Sequence, residues 1–583
     1  MRSIQRLIGQ IVVLFAGAAG IAMAQTGGEQ IYQTNCARCH DAAAGAQRVP
    51  LRATLTQLTS ASILNALNSG VMREQGSHLT AEERHEVANW LSRATPAATA
   101  AEPGHCSAGT NSTTGGADWT SWGAGPDNAR YQTNSGLTPA DVSKLKLRWA
   151  YGVPNGKMMR SQSIVYKEDI YFGGEDGSLV ALDAKTGCVR WSAHVKNVRS
   201  GLTVGGQELF FGDVTGTVHA FDLTTGREQW NRKIGDHPAA MITGAPAYYD
   251  GRLYVPLSSY EEVSVLAPEY HCCTFRGSVT ALDAASGNVI WQSHTIEEAP
   301  KTEGNTVGPS GAAIWSTPTL DPAHNVLYVT TGDNYSGPAS QTSDAVIAFD
   351  LQSGKQLWSS QFTANDVFNL KALGPGQDLD FGAPPILIRL TSGKRALVLS
   401  QKSGMVYAID PDGEGKLLWK ERAGRGGALG GIEWGAASDG HTVFAPLSDV
   451  SLKQTLDPKV GGGLAAYDVD SGKLLWKAPA AAVCSAERQH CSPAQSAPAT
   501  AIPGAVFSGS LDGHIRAYSA KNGTVLWDFD TERSFDTVNH VTAAGGSLDV
   551  AGPVIADGMV FVESGYSQFG GKAGNVLLAF GPE

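Results

Sequence analysis

Two cysteines and a histidine near the N-terminus have the clearest chemical meaning in this chain. Cys36-Ala-Arg-Cys39-His40 has the C-x-x-C-H spacing at which two thiols attach a haem covalently and the next residue offers an imidazole to the iron. The iron needs a second axial ligand, and Met72 follows where a thioether ligand is expected, ahead of a final amphipathic helix. The sequence therefore predicts a c-type haem held by Cys36, Cys39, His40 and Met72.

The same residues allow other chemistries. A disulfide or a zinc site is an alternative for the two cysteines, but the sequence has no second Cys/His pair at zinc-finger spacing. His78 and His85 are alternative candidates for the second axial ligand. The whole segment resembles a small class I cytochrome c, which implies a compact all-α domain.

Size and charge limit the classes of protein that fit. The chain has 583 residues, too many for one ordinary hydrophobic core, so we expect two or more domains. Its formal net charge is −11 and no basic stripe offsets it, which argues against nucleic-acid binding.

The first residues have the pattern of an export signal. Arg2 and Arg6 precede an apolar run that ends in the small-residue cleavage pattern Ala22-Met23-Ala24. An uncleaved membrane anchor is the alternative, although the run is short for a span. No other segment approaches twenty apolar residues, so we expect a mature chain without a stable membrane span, exported to a bacterial periplasm.

Changes in composition mark the expected domains. After a signal peptide at residues 1–24, the cytochrome-like segment covers residues 25–94. Residues 95–118 are rich in Ala, Pro, Gly, Ser and Thr and are typical of a linker. A much larger, repetitive unit occupies residues 119–583.

The six remaining cysteines suit disulfides in an oxidising compartment. Three pairs are candidates, one closing a local loop, one between adjacent residues and one of long range: Cys484–Cys491, Cys272–Cys273 and Cys106–Cys188. A member of the adjacent pair could instead bond elsewhere, because connectivity does not follow from sequence alone.

A repeated strand pattern decides the fold of the large unit. The template runs from Tyr171 to Trp191 as strand, tight turn, strand, Asp-x-x-Thr-Gly turn and a strand that ends in Trp. Seven such repeats end in Trp191, Trp230, Trp291, Trp358, Trp419, Trp476 and Trp527. An eighth strand ends at Trp149 ahead of the first repeat, whereas the last strands of the chain lack a Trp. We therefore predict a mainly β, eight-bladed propeller whose last blade is completed by the Trp149 strand, with seven blades as the alternative.

The repetitive unit resembles the quinoprotein alcohol dehydrogenases, which are eight-bladed propellers that hold pyrroloquinoline quinone (PQQ) and calcium in a central funnel. The resemblance rests on the tryptophan turns, on Trp119-Thr-Ser-Trp122-Gly and on Asn128-Ala-Arg-Tyr-Gln132. It covers about residues 119–580. A WD40-type or lectin-like propeller is the alternative.

The resemblance implies a set of PQQ contacts. Thr243 and Ser258 would bind PQQ oxygens, and Trp315 would form the floor under the ring. Lys402 matches the cation that contacts the quinone oxygens, and Arg199 matches a contact to a PQQ carboxylate.

The resemblance also implies a calcium site and a catalytic base. Glu261, with Glu262 next to it, matches the calcium-binding glutamate of the family. Asp333 stands where the family usually has an asparagine ligand, and Asn334 is adjacent, so either could supply a hard oxygen. Asp344 matches the base that removes the alcohol proton and is also a candidate calcium ligand.

The order of the domains favours one class of substrate. A cytochrome ahead of a quinoprotein propeller is similar to the polyvinyl-alcohol dehydrogenases, whereas other quinohaemoprotein alcohol dehydrogenases carry the cytochrome at the C-terminus. The resemblance implies oxidation of the secondary alcohols of polyvinyl alcohol to ketones, with electrons passing through haem c to an external cytochrome, copper protein or respiratory carrier. A dehydrogenase of small alcohols or sugars and a non-catalytic binding or assembly propeller are the alternatives.

Overall fold

The structure is a computed structural model in which the following residues are described: 27–41, 52–55, 60–68, 72–93, 104–106, 117–195, 198–267, 269–303, 306–371, 378–450, 456–485 and 487–583. The chain divides into two compact units, Met1–Ala100 and Ala101–Glu583. The division falls within the expected linker at residues 95–118. The expected signal peptide at residues 1–24 lies outside the described residues.

The first unit is helical, which confirms the expected small all-α domain. Its described helices are Gly27–Asn35 (α1), Ala37–His40 (α2), Arg52–Leu55 (α3), Ser60–Asn68 (α4), Arg73–Gly76 (α5) and Ala81–Arg93 (α6). α1 and α6 approach closely because Gly28 has no side chain: a Cβ there would lie 2.4 Å from the Cβ of Trp90. Tyr32 and Val87 belong to the small core that these helices bury.

The second unit is a β-propeller with eight antiparallel blades among the described residues; seven are four-stranded sheets, and the third has a short fifth strand, Ala240–Met241. The strands of blades 1 to 4 are Ser161–Tyr166, Asp169–Gly173, Ser178–Asp183 and Val189–His194; Thr203–Gly205, Glu208–Gly212, Thr217–Asp222 and Glu228–Lys233; Ala247–Tyr249, Arg252–Ser259, Ser278–Asp283 and Val289–His294; Thr319–Asp321, Val326–Thr330, Ala345–Asp350 and Gln356–Gln361.

The remaining blades complete the ring. The strands of blades 5 to 8 are Ile386–Arg389, Arg395–Ser400, Met405–Asp410 and Lys416–Arg422; Ala437–Ser438, Thr442–Pro446, Leu464–Asp468 and Leu474–Ala478; Thr500–Ile502, Ala505–Gly509, His514–Ser519 and Val525–Asp530; Val554–Ala556, Met559–Ser564, Val576–Pro582 and Leu145–Gly152. Middle strands are buried and last strands are largely exposed, as in Thr217–Asp222 and Glu228–Lys233, so the last strand of a blade lies on the outside.

Blade 8 joins the two ends of the large unit. Leu145–Gly152, which contains Trp149, pairs antiparallel with Val576–Pro582 at the C-terminus. This pairing confirms the prediction that the Trp149 strand completes the last blade. It also removes the exposed sheet edge that an open ring would present.

Tryptophan and glycine explain why the repeat produces a propeller. In each Asp-x-x-Thr-Gly turn the Asp side chain accepts hydrogen bonds from the residue three positions on, as Asp222 does from the backbone N–H and the hydroxyl of Thr225. The glycine that ends the turn has a left-handed backbone, with φ of 64° at Gly226. Trp191 of the preceding blade packs on that glycine, where a Cβ would lie 2.4 Å from the indole, and its Nε1 donates to the carbonyl of Leu223 at 2.8 Å. The repeat therefore encodes contacts between neighbouring blades.

Short elements lie between the blade strands. They are the helices Pro139–Val142 (α7) and Glu261–Ser264 (α8), the 3-10 turns Pro322–His324, Pro411–Gly413 and Gln568–Gly570, and the strands Ala240–Met241, Lys301–Glu303, Thr306–Gly308, Ser310–Gly311, Asn334–Ser336, Ser534–Phe535 and Ala543–Ala544. Within the described residues, no helix combines the length and apolar character needed to cross a bilayer.

The three expected disulfides are present: Cys106–Cys188, Cys272–Cys273 and Cys484–Cys491. The first ties the segment around residue 105 to blade 1, where backbone hydrogen bonds also join Gly104 and Cys106 to Val189.

Candidate functional site

The expected haem residues lie together in the helical unit. Cys36 precedes α2, and Cys39 and His40 form its end. Both cysteines are free thiols; Cys36 is half-buried and Cys39 is exposed, while His40 is buried. Met72 packs against the same core as Cys36. Free thiols at this spacing, next to a buried imidazole, fit a covalently attached haem.

The two alternative axial ligands are placed differently. His78 and His85 are both exposed, whereas Met72 is half-buried against the core. Burial favours Met72, because an axial ligand must reach iron held inside the domain.

A cavity of about 330 Å³ lies among the irregular segments of the propeller. Its lining includes six of the sequence-predicted residues: Arg199, Thr243, Ser258, Trp315, Asp333 and Lys402. These come from blades 1 to 5 and the connections between their strands, so the fold brings together side chains that are far apart in sequence.

Three aspartates converge in the cavity wall. One carboxylate oxygen of each of Asp333, Asp378 and Asp380 lies within 4.8 Å of the others, and all three side chains are buried. Lys402 contacts two of them, with Nζ 2.8 Å from Asp378 Oδ1 and 2.9 Å from Asp380 Oδ1. Glu262 also lines the cavity. Four carboxylates against one ammonium leave a formal excess of three negative charges.

This excess of negative charge shifts the titration of the cluster. Burial, and then the charges of Asp378 and Glu262, raise the pKa of Asp333 well above its ordinary value. Burial also raises the pKa of Asp378, against the opposing effect of Lys402, and raises the pKa of Glu262 to about 7. Buried carboxylates are costly unless a cation neutralises them, and their hard oxygens are the ligands that Ca²⁺ prefers. The donor set therefore fits a calcium ion.

The structure places Glu262, rather than the sequence-predicted Glu261, on the cavity. Glu261 is fully buried, and its carboxylate accepts hydrogen bonds from the backbone N–H groups of Thr274 and Phe275, both at 2.8 Å. It also accepts from the Tyr270 hydroxyl at 2.8 Å. Consecutive residues of a helix point about 100° apart, so only one of two adjacent glutamates in α8 can face the cavity. Glu261 therefore holds the loop that contains Thr274 and Phe275, and Glu262 is the glutamate that lies among the candidate metal ligands.

The choice between Asp333 and Asn334 is resolved by their hydrogen bonds. Asn334 donates to the carbonyl of Ser310 at 2.9 Å and accepts from the N–H of Ser340 at 2.8 Å. Asp333 lines the cavity, and its Oδ2 accepts no hydrogen bond from any described residue. Asp333 is therefore the residue available to a metal ion.

Asp344 is buried but is not among the described residues that line the cavity. Neither of its carboxylate oxygens accepts a hydrogen bond from the part of the chain that the structure describes. Burial, followed by the negative charges of Asp380 and Asp366, raises its pKa well above the ordinary value. Asp344 does not line the cavity, although the charges of Asp380 and Asp378 contribute to its raised pKa.

Trp315 forms a fixed flat surface in the cavity. Its Nε1 donates to Asp380 Oδ2 at 3.1 Å, and the Lys402 Nζ lies 5.0 Å from its ring centroid. Trp434 packs edge-on against it, with centroids 5.3 Å apart and planes at 86°. Trp434 is held in turn by a hydrogen bond from its Nε1 to Asp549 Oδ1 at 2.5 Å. A fixed indole face suits stacking on a planar cofactor.

The other predicted PQQ contacts also face the cavity. The hydroxyl oxygens of Thr243 and Ser258 are 2.6 Å apart. Arg199 has two buried guanidinium nitrogens, Nε and Nη1, that donate to none of the described residues, and burial lowers its pKa. Unused donors on a buried guanidinium fit an anionic ligand such as a carboxylate. These residues therefore fit PQQ, a flat ring that carries carboxylates.

Sequence reasoning missed Asp378 and Asp380. They lie in a connection between blades 4 and 5 that has no repeat motif. The available signal was the Asp-Leu-Asp spacing, because residues i and i+2 of an extended segment point to the same side.

The disulfide between the neighbouring residues Cys272 and Cys273 lies behind the cavity wall. The Cys272 Sγ is 3.9 Å from the carbonyl oxygen of Tyr335, which lines the cavity.

Comparison with known proteins agrees with this architecture. Residues 24–91 match the family described as cytochrome C oxidase, cbb3-type, subunit III. The family described as outer membrane protein assembly factor BamB matches four overlapping stretches: 111–365, 276–482, 402–544 and 460–580.

Two relatives are similar over almost the whole chain. The polyvinylalcohol dehydrogenase of Pseudomonas sp is 36% identical over 623 residues, covering 98% of this chain and 96% of the relative. That of Sphingopyxis sp. (strain 113P3) is 36% identical, covering 95% of this chain and 93% of the relative. Among solved structures, quinohaemoprotein alcohol dehydrogenase ADHIIG of Pseudomonas putida HK5 superposes with a TM-score of 0.64 at 19% identity, over 80% of each chain, which supports the fold.

The fold, the cavity and these similarities define a quinohaemoprotein: a haem c domain joined to a PQQ-type propeller, with calcium typical of the family. Within that class, the chain belongs to the polyvinylalcohol dehydrogenase family.

Proposed function

We propose that this chain is a PQQ- and calcium-dependent dehydrogenase that oxidises the secondary alcohols of polyvinyl alcohol to ketones. It works in a bacterial periplasm and passes electrons through its own haem c to an external acceptor, such as a cytochrome c. The observation that carries the proposal is the buried convergence of Asp333, Asp378 and Asp380 with Lys402 beside the fixed indole of Trp315. A propeller that only binds other proteins has no use for this arrangement.

Within the cavity, separate residues hold separate groups. Glu262, Asp333 and Asp380 would hold calcium, since each carboxylate oxygen keeps a lone pair for a metal ion when it also accepts a hydrogen bond. Lys402 donates one N–H to Asp378 and forms an ion pair with Asp380, which leaves an N–H donor for a quinone oxygen.

PQQ would be held from several sides. Trp315 would support the ring, Thr243 and Ser258 would contact its oxygens, and Arg199 would bind a carboxylate. In the first unit, Cys36 and Cys39 would attach haem, with His40 and Met72 as axial ligands. When bound, PQQ would supply a hydride acceptor for the carbinol carbon, calcium a Lewis acid for the quinone carbonyl, and haem c a one-electron carrier.

Asp378 is the residue we assign as the proton acceptor. Lys402 holds its Oδ1 at 2.8 Å, which fixes the carboxylate and leaves the second oxygen to take the alcohol proton. Asp380 is less suited, because both of its oxygens are already in contact, one with Lys402 and one with Trp315. Asp344 has no place in this assignment, since it does not line the cavity.

The test begins with metal binding, measured as terbium luminescence sensitised by the cavity tryptophans. We expect wild-type protein to bind Tb³⁺, with Ca²⁺ competing for the same site, and Asp333→Ala to lose the signal. Asp344→Asn is the matched control, because it removes a buried acid outside the cavity. Equal signals from wild type and Asp333→Ala would contradict the site.

Activity is then measured after reconstitution with Ca²⁺ and PQQ. We expect dye reduction with polyvinyl alcohol and short secondary alcohols, and poor rates with methanol. Preference for methanol, ethanol or glucose over the polymer would contradict the proposed substrate. In periplasmically expressed protein, haem should survive denaturing electrophoresis, and it should be lost in a Cys36→Ala/Cys39→Ala variant.

A further inference from the structure

The cavity continues past Trp434 into a second chamber that the cofactors do not need. This chamber has a volume of about 40 Å³ and shares Glu433, Trp434 and Phe569 with the main cavity. A space of that size holds about three water-sized groups. It is too small for a planar cofactor and large enough for a short hydroxyl-bearing piece of a substrate.

One side of the chamber is aliphatic. Val450, Leu456 and Leu511 line it, and Val450 and Leu511 belong to one buried cluster. Such a wall favours methylene groups, since it offers them contact and no hydrogen-bonding partner.

The other side carries a buried glutamate with one carboxylate oxygen that has no hydrogen-bond partner among the described residues. Glu433 is only 7% exposed, and its Oε2 accepts no hydrogen bond from the described residues. Leaving a buried carboxyl oxygen without a partner is costly, and a ligand hydroxyl would remove that cost. Glu433 lines both the main cavity and the chamber, so a substrate group next to the reacting carbinol would lie beside it.

We propose that this chamber is a subsite for a second hydroxyl of the substrate, in which Glu433 binds the hydroxyl of the neighbouring carbinol and Val450 and Leu511 contact the methylene between the two. The inference rests on the proposed function and names its preferred substrate class as alcohols with hydroxyls in 1,3 relation. Polyvinyl alcohol has this spacing in every repeat, whereas simple alcohols cannot fill the chamber and satisfy Glu433 together.

The first measurement compares 2,4-pentanediol with 2-pentanol, which differ by one hydroxyl. For the reconstituted holoenzyme we expect the KM of the diol to be at least about tenfold lower, the scale of one buried hydrogen bond. Glu433→Leu should bring the ratio of the two KM values close to one. Glu563→Gln is the matched control, because Glu563 is also a buried glutamate with an unpartnered Oε2 among the described residues, yet it does not line the chamber. Its ratio should equal that of wild type.

A second measurement does not depend on turnover of the diol. Tertiary alcohols have no hydrogen on the carbinol carbon and cannot be oxidised, so they act as inhibitors. The tertiary diol 2,4-dimethyl-2,4-pentanediol should inhibit about tenfold more tightly than 2-methyl-2-pentanol. Val450→Phe, which puts a larger side chain in the chamber and keeps Glu433, should abolish the difference.

The outcomes separate this inference from the proposed function. Equal inhibition by the two tertiary alcohols in wild type, or a preference for the diol that survives both Glu433→Leu and Val450→Phe, would overturn the subsite while leaving alcohol oxidation intact. A reconstituted protein that oxidises no alcohol would overturn the proposed function, and calorimetric binding of the tertiary diol would still test the subsite.

Discussion

The blade interfaces and the cavity of this propeller follow opposite rules. At the interfaces one contact is repeated: Trp191 packs on Gly226 and Trp476 packs on Gly523, each with its Nε1 bonded to a carbonyl of the next blade. In the cavity equivalent positions carry different side chains: Thr243, Trp315 and Glu433 each lie four residues before the first strand of blades 3, 4 and 6. The acids of the cavity lie in connections of unequal length.

The two regions also differ in how buried polar groups are satisfied. The indole N–H of Trp191 has a partner 2.8 Å away, whereas Asp333 Oδ2, Arg199 Nε and Glu433 Oε2 have none among the described residues. Folded proteins pair nearly all their buried polar groups, so a cluster of exceptions marks a place completed by ligands. The comparison shows that regularity specifies this fold and departures from it specify its chemistry.

We expect the largest loss of activity when an acid of the cavity is removed. Asp378→Asn should lower kcat by about a thousandfold, the usual scale for losing a general base, because the amide cannot take the alcohol proton. Thermal unfolding should change little, because Lys402 keeps its ion pair with Asp380. Steady-state kinetics and circular dichroism check the two parts.

Asp344→Asn is the paired control for that prediction. It alters a buried acid of the same type that does not line the cavity, so kcat should stay within a few-fold of wild type. A loss of activity in Asp344→Asn with normal turnover in Asp378→Asn would reverse the assignment.

A second prediction concerns a buried acid outside the cavity. Burial raises the pKa of Glu563 from 4.5 to about 8, so the folded chain binds a proton that the unfolded chain releases between these values. Its contribution to stability is therefore full below about pH 4.5 and is lost as the pH rises towards 8. Because the amide in Glu563→Gln does not titrate, the variant should not lose stability in this way. The free energy of unfolding of the variant minus that of wild type should therefore rise by on the order of 3 kcal/mol between pH 5 and pH 8. Denaturant unfolding at both pH values measures it, and parallel pH profiles of the two proteins would refute it.

The smallest expected effect tests the interfaces themselves. Trp419 donates its Nε1 to the carbonyl of Val469 at 2.8 Å, whereas the Nε1 of Trp291 has no partner within the described chain. Trp419→Phe should therefore destabilise the propeller by about 1 kcal/mol more than Trp291→Phe, since only the first leaves a carbonyl unpaired. Both variants lose the same indole area, so the difference isolates the hydrogen bond. Identical unfolding midpoints would show that it contributes nothing.

The fold could be predicted because its signals are local and repeated. An Asp-x-x-(Thr/Ser)-Gly turn occurs in five of the seven repeats and the terminal Trp in all seven. The last strands lack this Trp, which indicated that the Trp149 strand closes the ring. Packing of each Trp on the next turn glycine explains why this signal is reliable.

The cavity could be predicted only in part. Trp315, Lys402 and Asp333 follow recognisable motifs, and the structure places all three on the cavity. The choice between Glu261 and Glu262 depended on which way one turn of α8 faces, which spacing along the chain does not determine. Asp378 and Asp380 lie in a connection without repeat or motif, so only the folded backbone brings them to Lys402.

Pairing of the first and last strands of the ring has a consequence for how the protein is made. Leu145 pairs with Pro582, so the outer strand of blade 8 is synthesised long before its partner. Contacts so distant in sequence form slowly, because a long chain must be ordered before they are gained. The nascent propeller therefore remains an open ring with an unpaired strand edge until Val576–Pro582 has been synthesised, and deletion of these seven residues would leave every molecule in that aggregation-prone state.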